Sequence, residues 1–591
     1  MKKTRIVSHL GYSDLFKTFQ RNGLVLFANS LKTTIDFEKQ IYCLLESMDP
    51  VELIQFSSFL NMICQTCTAE MSMVRGLTLL IETKVLPANA RLSNKIVFHR
   101  ENLLNLIGQI IEKKIQGNQQ LTGRGYLENQ NKYCQAILFN NDLLSLETGD
   151  SSDTPLQSIL RNYFIKEWPY YYLLDIARNI NKYRILRYRY CYESLLPLLE
   201  EAERKNLEEC IYIFKEKTGV SIQDYIRTLD KLFVWFLEMP YQNTQKPVPV
   251  GQQKYGFDFL DIRTFYIDAQ NFKGDPSFIK IIDSLARDFD AFKKSVAVEK
   301  SRTVGPITGY NRNVRVFFEN PIFKISEGYY CIIDLKFLID NVCGGLLFRV
   351  VGEGEKLKKY KPAYGRLMEE YFKFLIENIF KDAKISFGGG VGVDAIIEDG
   401  DKVFVIEFTT EYYCQSSLYN PTSQGFVDDA YRLLFNTGKS DPRSRGKSDK
   451  GKLIKLEEYI KKEKEKDKTK TKTITPILVT ENILGDKDLF NSFGNFYDTE
   501  IKNKKLVNLE DNPPLFLCLD DLETFWSFFE PEQAVESLAD FTKEWIPSNK
   551  GPQFHNATAG IIKFVKEKRG EAIVINKEFC EFFTLKRIFK K

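Results

Sequence analysis

Along residues 30–240 the apolar positions recur every three to four residues, as in FEKQIYCLLESM, ENLLNLIGQIIEKKI and LDKLFVWFLEM. That spacing stacks them on one side of a helix and predicts a helical N-terminal region with few strands. GDSSDTP (149–155) and MPYQNTQKPVPVGQQ (239–253) interrupt the periodicity and are the expected breaks. Residues 254–350 mix one long helical run, SFIKIIDSLARDFDAFKKSV, with short apolar stretches expected as strands at VRVFF, GYYCIIDL and GGLLFRVV. KPAYGRLMEEYFKFLIENIFKD then places Met368, Phe372, Leu375, Ile376 and Ile379 on one stripe, predicting a helix that opens at its proline.

After that helix the period changes. In GGGVGVDAIIEDGDKVFVIEFTT (388–410) two apolar runs flank the turn EDGDK, which predicts a β-hairpin. Period two puts Val403, Val405, Glu407 and Thr409 on one face of its second strand and Lys402 on the other. Folding the hairpin back brings Asp394, near the start of the first strand, toward Glu407, near the end of the second. Either both acids are solvated at frayed strand ends, or they converge within reach of one hard divalent cation such as Mg²⁺ or Mn²⁺, which takes oxygen ligands. Beyond the hairpin, GFVDDAYRLLF and GKLIKLEEYIKKEKEK read as helices and ITPILVT and PPLFLCLDDL as buried strands, the second running into the helix LETFWSFF. From about residue 530 a helical tail is expected. The resulting division is 1–245 helical, 254–355 an α/β adaptor, 360–525 an α/β domain and 526–591 a helical tail.

Composition narrows the chemistry. With three histidines, His9, His99 and His555, a histidine-based site is disfavoured, and carboxylates are the abundant ligands. The 11 cysteines have no disulfide rhythm. Cys64 and Cys67 form one CxxC without a second pair nearby, so buried thiols are the simpler reading. A net charge of +4 does not mark a nucleic-acid binder as a whole, so any basic surface is local. Such a patch lies at 438–455, where Lys439, Arg443, Arg445, Lys447, Lys450, Lys452 and Lys455 face only Asp441 and Asp449, a composition suited either to gripping a phosphate backbone or to a solvated loop. In the segment 170–192, Arg178, Lys182, Arg184, Arg187 and Arg189 alternate with Tyr183, Tyr188, Tyr190 and Tyr192. Stacking on bases is one reading; tyrosines in a core with arginines in water is the plainer one. The glycines of GGGVG precede a strand rather than a helix, and Leu433 stands where the first glycine of a P-loop ending at GKS would be, so both nucleotide-binding readings fail. No apolar run has the length of a membrane span or the form of a signal peptide, which predicts a cytoplasmic, non-membrane protein.

Helix with Glu, strand with Asp, turn, strand ending in Glu-x-x: this order resembles the PD-(D/E)XK, or restriction endonuclease-like, nuclease superfamily. The resemblance covers roughly 360–525. It implies a restriction endonuclease-like domain with a central mixed sheet, which with the mostly helical N-terminal region read from the periodicity makes an α+β multidomain chain. It further implies that Asp394 and Glu407 hold Mg²⁺ (or Mn²⁺) at a scissile phosphate, with Glu369, or its rival Glu370, on the first core helix. Thr409 stands where the motif lysine belongs; a basic residue from 439–455 is one replacement, and Glu411 is an additional acid on the Glu407 face. The implied activity is a DNA endonuclease of restriction or phage-defence type, with a defence-system partner protein and a homodimer as expected associations. A nuclease fold without catalysis, binding nucleic acid or a partner protein, is the alternative, as is an interaction protein whose helical half does the work.

Overall fold

The computed structural model describes residues 37–46, 48–66, 100–113, 130–147, 183–228, 230–232, 266–302, 316–335, 337–338, 355–388, 392–411, 423–438, 450–466, 472–482, 485, 487–491, 494–548, 557–569 and 576–585. The protein is α+β, with two mixed sheets among these residues. The four consecutive regions read from the sequence fold as two compact units, and the chain passes between them more than once: one unit comprises 1–154, 170–178 and 213–350, the other 155–169, 179–212 and 351–591. Among the described residues no helix is long and apolar enough to cross a membrane. Both expected breaks and all three histidines lie outside the described residues, as does Cys67.

In the first unit the helices Phe37–Leu45, Pro50–Thr66, Arg100–Lys113 and Gln130–Glu147 accompany a small sheet ordered β1 (Tyr266–Asp268), β4 (Tyr329–Ile332), β3 (Ile322–Ser326), β2 (Ala286–Arg287). A buried ion pair ties helix to sheet: Arg100 donates to both oxygens of Asp334 at 2.7 and 2.9 Å, Asn61 adds a third bond at 3.0 Å, and Asp334 also accepts from the Phe337 N–H at 2.8 Å. Two sequence expectations need correction here. The run at 277–296 is two helices, Pro276–Leu285 and Phe289–Arg302, with β2 between them. Asp288 restarts the helix, its side chain accepting from the Ala291 N–H at 2.8 Å as an N-cap, which apolar periodicity alone does not register. The described part of VRVFF is not a strand: 316–319 is a helical turn whose Phe317 packs edge-on against Phe292, and a short apolar run cannot be assigned by period. The third expected strand, GGLLFRVV, lies outside the described residues.

The second unit is built on a five-stranded sheet in the order β5 (Lys384–Phe387), β6 (Ala395–Asp399), β7 (Lys402–Thr409), β8 (Thr473–Thr480), β9 (Leu515–Cys518). The first three strands form an antiparallel meander, and β8 and β9 join parallel. Gly400, at φ +58°, gives the two-residue hairpin turn the left-handed backbone that an L side chain resists. Central β7 is buried on both faces. Val403 and Val405 sit in an apolar cluster with Phe426 and Leu434 of α2 (Ser423–Leu434) and Leu453 and Leu456 of α3 (Lys452–Lys466). On the opposite face Phe408 stacks on Phe372 of α1 (Glu355–Ile379) at 4.7 Å. α1 begins before the expected proline and carries Pro362 inside it, a loss of one N–H bond that a stripe of buried Tyr360, Tyr364, Leu367, Met368, Tyr371 and Phe372 tolerates. The C-terminal residues fold as α4 (Leu519–Phe528), α5 (Pro531–Ser548), α6 (Ala557–Arg569) and α7 (Lys577–Leu585).

Candidate functional site

The hairpin register fixes where the two acids meet. Ala395 pairs with Ile406, so Asp394, one residue earlier, stands across from Glu407. The Asp394 N–H donates to the Ile406 carbonyl at 3.1 Å, and its carboxylate turns back along β7 to accept from the Phe408 N–H at 2.7 Å. Glu407 extends the apolar face of Val403 and Val405 and is 1% exposed. A carboxylate in that position needs a cation, and α3 provides it. Lys452, the first residue of α3, reaches both acids: its Nζ is 2.8 Å from Glu407 Oε2 and 3.3 Å from Asp394 Oδ2. One turn further along, Lys455 Nζ is 3.7 Å from the same Glu407 oxygen.

Gly451 sets the start of that helix. Its N–H donates to the Asn436 carbonyl at 2.7 Å, and a Cβ there would run into the backbone of Leu434 and Phe435. α3 is therefore held hard against the end of α2, with Lys452 projecting to the acids.

Burial pushes the Glu407 carboxyl up to about 7, with Lys452 pulling down and Asp394 pushing up. Burial works against the Lys452 ammonium too, but Glu407 and Asp394 outweigh it and hold the group above the ordinary lysine range. At neutral pH Lys452 is therefore charged, while Glu407 is close to its titration point and shared between its neutral and ionised forms. Glu407 Oε1 is buried without a hydrogen-bond partner. This is an oxygen ligand with spare lone pairs, close to a second carboxylate and to a cation already in the bridging position.

Asp394 and Glu407 are brought together as the sequence suggested. Glu369 is engaged on its own helix, by Arg366 at 2.5 Å and Lys373 at 3.5 Å, and Glu370 by Lys373 at 2.8 Å. Among the described residues no group of three or more Asp, Glu, His or Cys side chains is placed to hold a metal ion, so Glu369 does not join the other two acids in a triad. Thr409 closes β7 with its hydroxyl accepting from the Glu411 N–H at 3.0 Å. Lys402 reaches Glu536 of α5 at 2.6 Å. Of the basic patch, Lys439, Arg443, Arg445 and Lys447 lie outside the described residues, and Lys450 pairs with exposed Glu458.

In the tyrosine–arginine segment Tyr183, Tyr188 and Tyr192 are buried as the plainer reading expects, but two of its arginines do not lie in water. In a helix over 183–190, Arg184 and Arg187 are buried rather than solvated. Arg187 spans Asp520 at 2.5 Å and Glu523 at 2.7 Å, and Arg184 donates to Asp520. Although burial opposes it, these two guanidiniums hold the Asp520 carboxyl at about 2. Tyr371 donates to Glu523 at 2.7 Å, and Tyr188 donates to buried Glu481 at 2.7 Å, as does Tyr364. Glu481 follows β8, and its N–H donates to the Thr409 carbonyl at 3.0 Å, so this polar core abuts the end of β7. Arg178 and Lys182 lie outside the described residues. Sequence reasoning missed Gly451, Glu481 and the α4 carboxylates Asp520, Asp521 and Glu523, whose segment was read only as a strand running into a helix. Compared with protein-family models, with curated proteins and with solved structures, the chain matches none.

Proposed function

We propose that the sheet unit is a metal-dependent phosphodiesterase acting on nucleic acid, DNA in the first instance, and that it is a divergent PD-(D/E)XK nuclease. The observation that carries this reading is one lysine ammonium in contact with two acids from adjacent strands. It supplies the positive group that Thr409 cannot, from α3 instead of from the strand. The order helix, three antiparallel strands, helices, parallel strand is compatible with that superfamily core.

Asp394 and Glu407 would hold the divalent ion: their oxygens suit a hard cation, Glu407 Oε1 has unused lone pairs, and water and a substrate phosphate complete the coordination such ions favour. Bound there, the ion supplies a Lewis acid and an acidified water. The protein's own groups do the rest. Lys452 offsets charge building on the phosphate, Lys455 extends that positive charge toward solvent, and the Phe408 N–H keeps the Asp394 carboxylate aimed across the hairpin.

Cleavage of plasmid and single-stranded substrates with Mg²⁺ or Mn²⁺, against an EDTA control, tests the reading. Asp394→Ala, Glu407→Ala and Lys452→Ala should each lower the rate by about 100-fold or more, the scale of losing a group that stabilises transition-state charge. Full-rate cleavage by Asp394→Ala would falsify the site. The second reading, a binding module without catalysis, is favoured by Thr409 at the motif position; binding without cleavage under every metal condition would select it.

A further inference from the structure

Lys452 occupies the place that a bridging cation would take. Its Nζ touches an oxygen of each acid, and its side chain is 17% exposed. Lys455, at 36% exposed, places a second ammonium against Glu407. The two carboxylates are therefore already matched by two lysine charges. A divalent ion added alone would give the pocket, when both acids are ionised, a surplus of two positive charges and displace a half-buried ammonium from a buried partner, which is costly unless that ammonium finds another anion. A phosphodiester is such an anion.

Resting on the metal reading above, we infer that Lys452 is a resident counter-ion competing with the divalent metal, so that metal and phosphodiester bind cooperatively and the metal binds weakly on its own. Coupling of this kind is reciprocal: the phosphodiester tightens the metal by the factor by which the metal tightens the phosphodiester. Metal ions without substrate leave the lysine in place and the site closed to solvent chemistry.

The test measures Mn²⁺ binding to the full chain by electron paramagnetic resonance, with and without a cleavage-resistant phosphorothioate oligonucleotide, for wild type, Lys452→Met and Asp394→Ala. Lys452→Met keeps most of the apolar stem and removes the charge; should circular dichroism report misfolding, Lys452→Gln takes its place. Without oligonucleotide, Lys452→Met should bind Mn²⁺ about 10-fold more tightly than wild type, within the range usual for coupled sites. The oligonucleotide should tighten Mn²⁺ binding to wild type by a similar factor and to Lys452→Met by much less. Equal Mn²⁺ affinity in wild type and Lys452→Met, or no effect of oligonucleotide on wild type, overturns the coupling and leaves the nuclease reading standing. Mn²⁺ binding that is unchanged in Asp394→Ala overturns both.

Discussion

Glu407 is a buried acid whose charge is opposed by its surroundings, and the consequence is a pH dependence of known sign. Its carboxyl lies at about 7 in the folded chain against 4.5 for an ordinary glutamate, so between these values the folded state holds the proton that the unfolded state has released. Stability contributed by this group is therefore lost as pH rises through that window. Relative to Glu407→Gln, wild type should lose about 2–3 kcal/mol between pH 5 and pH 8, read from urea denaturation of both proteins at the two pH values. Equal slopes would mean that Glu407 is solvated. Asp521, pushed up to about 6 by burial, adds to the wild-type trend in the same direction and cancels in the comparison. At this scale Asp394 and Glu407 were legible because strand parity is local: two residues on facing strands of a tight hairpin are fixed by the turn between them. Lys452 was legible only as one of seven basic residues, since the one that reaches the acids is decided by how α3 is rotated against the sheet, and no neighbouring residue encodes that.

Where α3 begins is an element-scale property, and it depends on a glycine. A methyl group at Gly451 would meet the Leu434 and Phe435 backbone, which cannot yield as a flexible side chain would. Gly451→Ala should destabilise the unit by about 1–3 kcal/mol, the usual cost of overpacking, and should slow cleavage further by moving Lys452 off the acids. Thermal melts and the cleavage assay on Gly451→Ala and wild type read both effects; Asn436, whose side chain accepts from the Gly438 N–H at 3.0 Å, braces the same turn. α1 and the hairpin strands β6 and β7 were readable from period, because β7 is apolar on both faces and α1 carries one continuous stripe, whereas β5 was not expected, its four residues being too few to show a period. The two misread stretches, 277–296 and 316–318, failed where a side-chain cap or a buried single turn outweighed periodicity.

At the scale of the whole molecule the sheet unit is assembled from distant stretches of chain. Asp520 and Glu523 on α4 take their guanidinium partners from residues 184 and 187, so a fragment of residues 351–591 would bury both carboxylates without them. Breaking a buried pair by removing one partner typically costs about 3–5 kcal/mol. That fragment should be expressed largely unfolded, as read by circular dichroism and sedimentation, and co-expression with residues 179–212 should raise its soluble yield. An independently folded 351–591 fragment would remove Arg184 and Arg187 from the account of this unit. This connection was not legible in the sequence: the basic segment and its acids stand 336 positions apart, and nothing near either one indicates the other. It also sets a clock on biosynthesis. At ribosomal rates of about 5–20 residues per second, Arg187 is made roughly 17–70 s before Glu523. For that interval a stretch rich in tyrosine and arginine, destined for an interior, remains on a nascent chain without its partners, and the sheet unit cannot close until Glu523 has been made.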